Sequence, residues 1–313
     1  MTLRRCLATL VAAALLPLHA AAAGPKEVHR FGVIGHSFAK DGGDERLKQA
    51  IHDSSEPSPD FVVVVGIKAA GEPCSDKLYM ARRKLIEAAK RPMIVMPAAS
   101  DWSGCKNSNG RTAAIERLNR VRELYYPEPE SLGRRKLDLT RQSANAKFRS
   151  YAENVYWIVG DVLYVTVNLP ANNNHYLPEA GRNSEFEDRL VANRFWLNRV
   201  FSLAKSKKLD AVVLFSEGDI QAVVQEKGLR ALLTRKRPQD GFDAPRRQVA
   251  QLAEKFAGKV LLIDTAAPPN GAAPSIEWHG NMGHVSVGSR AVEVRVAKDS
   301  EAVFTLKKAD SEN

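Results

Sequence analysis

The stretch FVVVVGIK, residues 61–68, decides the fold class. Phe61 to Val65 is apolar without alternation and rich in β-branched valine. A short unbroken run of this kind reads as a strand buried on both faces, where neither face presents a polar side chain to water. The run ends at Gly66 and turns into Ile67-Lys68. Two other stretches repeat the pattern: Phe31 to Ile34, ending in Gly35-His36-Ser37, and Met93 to Met96, ending in Pro97-Ala98-Ala99-Ser100-Asp101-Trp102. Open α/β sheets place their chemistry at strand ends like these.

Helical patterns lie between the strands. Leu47, Ala50 and Ile51 mark a short helix. Asp76 to Lys90 carries Leu78, Ala81, Leu85, Ile86 and Ala89 on one stripe, with Ser75 placed to cap it. Thr112 to Tyr125 is amphipathic through Ile115, Leu118 and Val121 and stops at Pro127. In the second half, Val155 to Val159 and Val162 to Val167 flank Gly160-Asp161, a hairpin signal. A long helix is expected from Ser184 to about Lys207, with Phe186, Leu190, Leu197, Val200, Phe201 and Ala204 inward. Strand Ala211 to Phe215, helix Pro245 to Phe256 and strand Val260 to Ile263 follow. Antiparallel strands around Ala291 to Val296 and Ala302 to Leu306 close the chain. Alternation of this sort predicts one α/β domain with mixed sheets.

The first 23 residues read as a signal peptide. Arg4 and Arg5 form the charged start, Leu7 to Leu16 the apolar run, and Ala20 to Ala23 a small-residue cleavage region. Pro17 and His19 break the run too early for a membrane span, and Cys6 precedes it, so no lipobox follows. The expectation is an exported protein of the periplasm or the exterior, with residues 24–313 as a single domain and no membrane span after cleavage. The net charge of +10 falls to +8 when Arg4 and Arg5 are removed, since the leader holds no acid. The remaining cations are scattered over Arg134-Arg135-Lys136, Lys205 to Lys208, Arg235-Lys236-Arg237 and Arg246-Arg247. None is interleaved with aromatics, which argues against a specific nucleic-acid platform and for a solvated surface; an anionic polymer of the cell envelope stays open as a partner. Cys74 and Cys105 form an even pair in an oxidising compartment, which suggests one disulfide. Their separation by 30 residues is not a zinc spacing.

The order of further pieces carries a resemblance. Val65-Gly66-Ile67-Lys68 is followed by Pro73-Cys74-Ser75-Asp76, then Pro97 through Trp102 with Cys105, then Arg117 to Pro127 and Ser131-Leu132-Gly133-Arg134-Arg135. Arg141-Gln142-Ser143, Glu153-Asn154-Val155, Val165 to Pro170 with Asn172 to Asn174, and the tail from Val287-Gly288-Ser289 to Phe304-Thr305 continue it. Together they resemble the calcineurin-like metallophosphoesterases, in particular a bacterial exported branch. The resemblance implies a layered α/β/β/α sandwich with mixed sheets. In active members it also implies two cations, held by strand-end Asp, Asn and His, that clamp phosphate and activate water.

This chain departs from that pattern loop by loop. The family's Gly-Asp at the first loop is Gly35-His36, and its Gly-Asp-Ile-Lys at the second is Gly66-Ile67-Lys68, without the bridging carboxylate. At the third loop the ligand Asn is Ser100 and the neighbouring Asp is Ala99, followed by Asp101-Trp102. Phe215-Ser216-Glu217 shows no ligand histidine, and the late His-Gly-Asp-Thr-His has shrunk to Asp264-Thr265-Ala266. Without the bridging Asp and both late histidines, a two-cation clamp has no ligand set. The expectation is therefore a pseudoenzyme with no catalytic residue, metal or cofactor. Its vestigial site positions are His36, Gly66, Ser100, Asp101, Glu217 and Asp264, and its cleft is left to an unidentified ligand or an envelope protein. The alternative is a phosphoesterase with an altered manganese, iron or zinc site, for which His36, Asp101 and Asp264 are candidate ligands, all expected near one face with Glu217 and Asp219. A further alternative makes Ser37 a nucleophile with His279 or His284 as base and Glu277 as acid, although Ser37 lacks a nucleophile-elbow motif. The plainer reading places His279 and His284 in loops or an edge strand, and Trp102, Trp157 and Trp196 in packing.

Overall fold

The computed structural model describes residues 26–38, 42–54, 59–178, 181, 183–221, 239–298 and 303–307. The expected signal peptide, residues 1–23, and the basic run Arg235-Lys236-Arg237 lie outside the described residues. Among the described residues, no helix is long and apolar enough to cross a membrane.

Two mixed sheets face each other. The first contains β1 (Lys26–Ile34), β2 (Phe61–Val65) and β3 (Met93–Met96), all parallel, with β11 (Ala291–Lys298) antiparallel to β1 and β12 (Phe304–Leu306) antiparallel to β11 at the edge. The second runs in the order β4 (Thr140–Arg141), β5 (Val155–Val159), β6 (Val162–Thr166), β7 (Ala211–Phe215), β8 (Lys259–Asp264), β10 (Met282–Ser286), β9 (Glu277–His279). Its four central strands, from β6 to β10, are parallel. The first sheet carries α1 (Glu45–Asp53), α2 (Asp76–Glu87) and α3 (Ala114–Tyr125) on its outer face. The second carries α4 (Ser184–Ser206) and α5 (Asp243–Glu254).

Phe61 to Val65 explains the layering. Phe61, Val63 and Val65 point into the core between the sheets, while Val62 and Val64 meet the helices, and all five are buried. Both faces of the strand are dry, which is why the run needs no polar alternation. Between the sheets Phe31 stacks on Phe61 at 5.4 Å, and Trp157 and Tyr164 meet the Phe61 ring edge-on at 5.2 and 4.8 Å. Trp196 is fully buried, and its indole N–H donates to Thr166 O at 3.1 Å. Side chains of this size fix the spacing of the two sheets and therefore the position of the loops at their ends.

Four expectations change. On α2 the inward stripe is Tyr79, Arg82 and Ile86, with Ala81 exposed. The Arg82 guanidinium goes inside because Asp44 (2.6 Å), Glu72 (2.7 Å) and Ile67 O (3.2 Å) receive it and the Phe38 ring lies under it at 4.2 Å. The same happens on α4, where buried Arg189 displaces half-buried Leu190 and is held by Glu185 and Asn174. On α3, Ile115 is 47% exposed while Leu118 and Val121 are buried. Finally, β9 and β10 occupy a stretch read as loop or edge strand. β10 is an interior strand, paired with β8 on one side and β9 on the other.

Candidate functional site

The loops after β1, β2, β3, β7 and β8 converge at one rim. Loops of the two sheets bond directly across it: Ala99 N–H donates to Glu217 Oε2 at 2.6 Å, and Asn172 Nδ2 donates to Ser103 Oγ at 3.2 Å. The C-terminal strands seal one end. Gly35 N–H donates to Arg290 O and His36 N–H to Gly288 O. A side chain at residue 35 would put its Cβ 2.1 Å from Gly288 O, so only glycine permits this approach.

His36, Gly66 and Ser100 form a packed unit. Gly66 turns the chain at φ +80°, and the His36 ring lies against its bare Cα; a Cβ there would meet His36 Cδ2 at 2.3 Å. His36 Nε2 is 3.0 Å from Ser100 Oγ, and that hydroxyl donates to Lys68 O at 2.9 Å. The imidazole thus fills the space into which any side chain at residue 66 would project.

Asp101 is the hub beneath. Its Oδ1 accepts from Ile67 N–H (2.9 Å) and Lys68 N–H (3.0 Å), and its Oδ2 from Ala98 N–H (2.7 Å). Burial pushes this carboxyl above its ordinary range, while His36 and the three N–H groups pull it back. Its two oxygens accept all three N–H groups, and its role here is to lock the second loop to the third. Lys68 is buried as well, its ammonium donating to Ala69 O and Ser100 O at 2.7 and 2.8 Å; burial lowers its pKa against the opposing charges of Asp101 and Glu72. Glu217 Oε2 accepts from Ala99 N–H and, at 2.9 Å, from Ala171 N–H. Burial pushes its carboxyl up to about 7 in spite of those two donors, and the charge of Asp101 adds to the rise.

The residues read from sequence therefore separate into two groups. His36, Gly66, Ser100 and Asp101 are brought together, and Glu217 joins them through Ala99. Asp264 is turned away. Along β8, Ile263 packs between the sheets, so Leu262 and Asp264 face the α4–α5 side. There Asp264 Oδ2 lies 2.5 Å from His284 Nε2, and Asp219 Oδ1 lies 3.4 Å from the same nitrogen. Burial lowers the His284 pKa, but the Asp264 hydrogen bond and the charges of Asp264, Asp219 and Glu277 carry it above the ordinary imidazole value. The expectation that Asp264 shares a face with His36 and Asp101 is thus corrected: alternation along β8 sends Asp264 to the helix side. Ser37 Oγ donates to Gly35 O at 3.3 Å rather than joining a histidine, and His279 is an exposed residue at the sheet edge.

The alternation of Met282, His284 and Ser286 with Gly283, Val285 and Val287 was the available signal for β10 and for the meeting of His284 with Asp264. The loop at Asn173 to His175 is a second feature not read from the sequence. Three successive non-glycine residues there have φ between 52° and 54°, and His175 rests edge-on against buried Trp102 at 4.6 Å. A concavity of about 890 Å³ lies away from the rim, between β11, β12 and the segment Ala273 to Ile276, and is lined by Trp278, Phe304 and Leu306. None of His36, Ser100, Asp101, Glu217, Asp264 or His284 lines it, so its size alone assigns it no chemistry.

A two-cation phosphoesterase centre does not fit this rim. Residue 66, where the resemblance would put a bridging carboxylate, is glycine, the His36 ring lies over it, and Asp101 and Glu217 are engaged by backbone N–H groups. No protein-family model matches the chain, and no curated protein matches it. Cys74 and Cys105 form the expected disulfide, with Cα atoms 5.8 Å apart. It ties the start of α2 to the third loop and fits an oxidising compartment.

Proposed function

We propose that the protein is an exported, non-catalytic relative of the calcineurin-like metallophosphoesterases, in which the rim that would hold two cations has become a packed surface for a ligand or an envelope protein. Two facing mixed sheets with helices outside are consistent with that fold. One observation carries the reading: the polar groups at the rim are turned inward to bond the loops to one another. Asp101 takes three backbone N–H groups, Glu217 takes two, and His36 occupies the space over Gly66. Two-metal hydrolysis needs several carboxylate and imidazole donors aimed at a shared point, and here these side chains are occupied in linking the loops. The protein acts by binding, in the periplasm or outside the cell, and its scattered positive charge makes an anionic envelope polymer one ligand class to include in a screen.

The test is hydrolysis of an aryl phosphate by the purified mature chain with manganese, iron or zinc added in turn. The expected result is no turnover above the metal-only blank. Metal-dependent turnover that disappears in His36→Ala would overturn the proposal.

A further inference from the structure

Asp219, Asp264 and His284 are the one group of three His, Cys, Asp or Glu side chains among the described residues whose donor atoms all lie within 4.8 Å of one another. They come from three chain segments: the loop after β7, the last residue of β8 and the middle of β10. Each carboxylate is oriented by its own backbone. Ala266 N–H holds Asp264 Oδ1 at 2.8 Å, leaving Oδ2 toward His284, and Gln221 N–H holds Asp219 Oδ1 at 2.7 Å. Glu277 stands directly across from His284 in the β9–β10 ladder and adds a third carboxylate nearby. Asp264 is buried, whereas the His284 and Asp219 side chains each keep 18% of their surface exposed, so the group opens to solvent on one side.

We propose that these three residues form a mononuclear site for a divalent transition-metal cation, with zinc the best fit and manganese next. Asp219 lies in the loop after β7 and Asp264 at the end of β8, both implicated by the resemblance, whereas His284 on β10 is not; Asp264 and His284 face the α4–α5 side of the second sheet. The donor set sets the class of ion. One imidazole and two carboxylates suit zinc or manganese, whereas calcium and magnesium favour all-oxygen shells and copper(I) favours sulfur. Geometry supports zinc. Ligand bonds of about 2.0–2.1 Å at tetrahedral angles separate neighbouring donor atoms by about 3.3 Å. The His284–Asp219 spacing of 3.4 Å already meets that, and the 2.5 Å His284–Asp264 contact has to open by less than the width of an atom. Three protein ligands leave a fourth position for water or an anion, on the side where His284 and Asp219 reach the surface.

The experiment strips the full mature chain with a chelator, removes the chelator, and titrates zinc and manganese by calorimetry, with metal content read by elemental analysis. One equivalent of zinc is expected. His284→Ala and Asp219→Asn should each weaken it by about a hundredfold or more, since even residues that only support metal ligands cost 10- to 100-fold. Asp219 is partly exposed, so its variant keeps the test available if changing buried Asp264 prevents folding. His279→Ala, at an exposed histidine outside the cluster, should leave affinity unchanged, and so should His36→Ala. Cobalt substituted for zinc should give the visible absorption of a four-coordinate ion in the wild type and lose it in His284→Ala. Absence of stoichiometric metal, or affinity equal to wild type in both His284→Ala and Asp219→Asn, would overturn the site. Turnover dependent on His36 would instead count against the non-catalytic reading of the rim, and the two results are read independently.

Discussion

Gly66→Ala is the sharpest probe of how the rim is built. The new Cβ would stand 2.3 Å from His36 Cδ2 and 2.7 Å from Nε2, whereas ordinary contact begins at 3.4 Å. The ring must therefore retreat by about 1.1 Å, the difference between 3.4 and 2.3, and in doing so leave Ser100 Oγ. Two costs add: about 1–2 kcal/mol for a non-glycine residue at φ +80°, and about 1–3 kcal/mol for overpacking a filled site. The single variant should lose about 2–5 kcal/mol. In a His36→Ala background the nearest remaining neighbour is Ala98 Cβ at 3.2 Å, so the overpacking cost largely vanishes and only the backbone cost stays. Denaturant unfolding of wild type, both single variants and the double variant should give a coupling of about 1–3 kcal/mol. If Gly66→Ala costs the same with and without the imidazole, His36 does not fill that space and the packed-rim reasoning fails.

Other perturbations test neighbouring parts of the structure. Arg82→Ala should destabilise by about 3–5 kcal/mol, because it leaves Glu72 and Asp44 without the cation they surround; Arg82→Lys should recover only part of this, since an ammonium lacks the planar fork, and denaturant midpoints decide the order. Replacing Cys74 and Cys105 with serine removes a closure across a sequence separation of 31 and should cost about 3–4 kcal/mol in the chain-entropy model. Intact mass before and after alkylation first establishes that wild type carries no free thiol at this pair. Burial holds the His175 imidazole below its ordinary 6.5, against Glu185 and with Arg189, so the fold favours its neutral form. Its contribution to stability is full above about pH 6.5 and is lost as pH falls from there through the lower folded value. His175→Gln should flatten that acid limb, as measured by unfolding across the interval.

How much of this was legible in the sequence depends on whether a residue's environment is local. Phe61 to Val65 was readable because each valine meets an apolar neighbour whichever face it takes. Arg82 was not, because periodicity assigns charge to the surface, and the acids that draw this one inward, Asp44 and Glu72, lie on other segments. Asp101 shows the same limit at the candidate site. Its type and place at a strand end suggested a ligand, but its three N–H partners include Ile67 and Lys68 from a different loop, and those partners decide that it bonds backbone. His284 was lost with its strand, since a short run containing glycine and histidine carries little β signal on its own.

His36 and Gly66 illustrate the reverse case, in which two residues legible singly change meaning as a pair. In sequence they are separate departures from a ligand pattern, one an imidazole for a carboxylate and one a missing side chain. In the fold they are a single packing event: the ring needs the bare Cα, and the bare Cα at φ +80° needs something to fill the space above it. Placing a carboxylate at residue 66 alone would therefore break the rim before it could supply a ligand. A metal site there would require changes in both loops at once. The site proposed at Asp219, Asp264 and His284 does not depend on this pair: alternation along β8 and β10 turns Asp264 and His284 to the helix side of the second sheet, so a cation held there would leave His36 over Gly66.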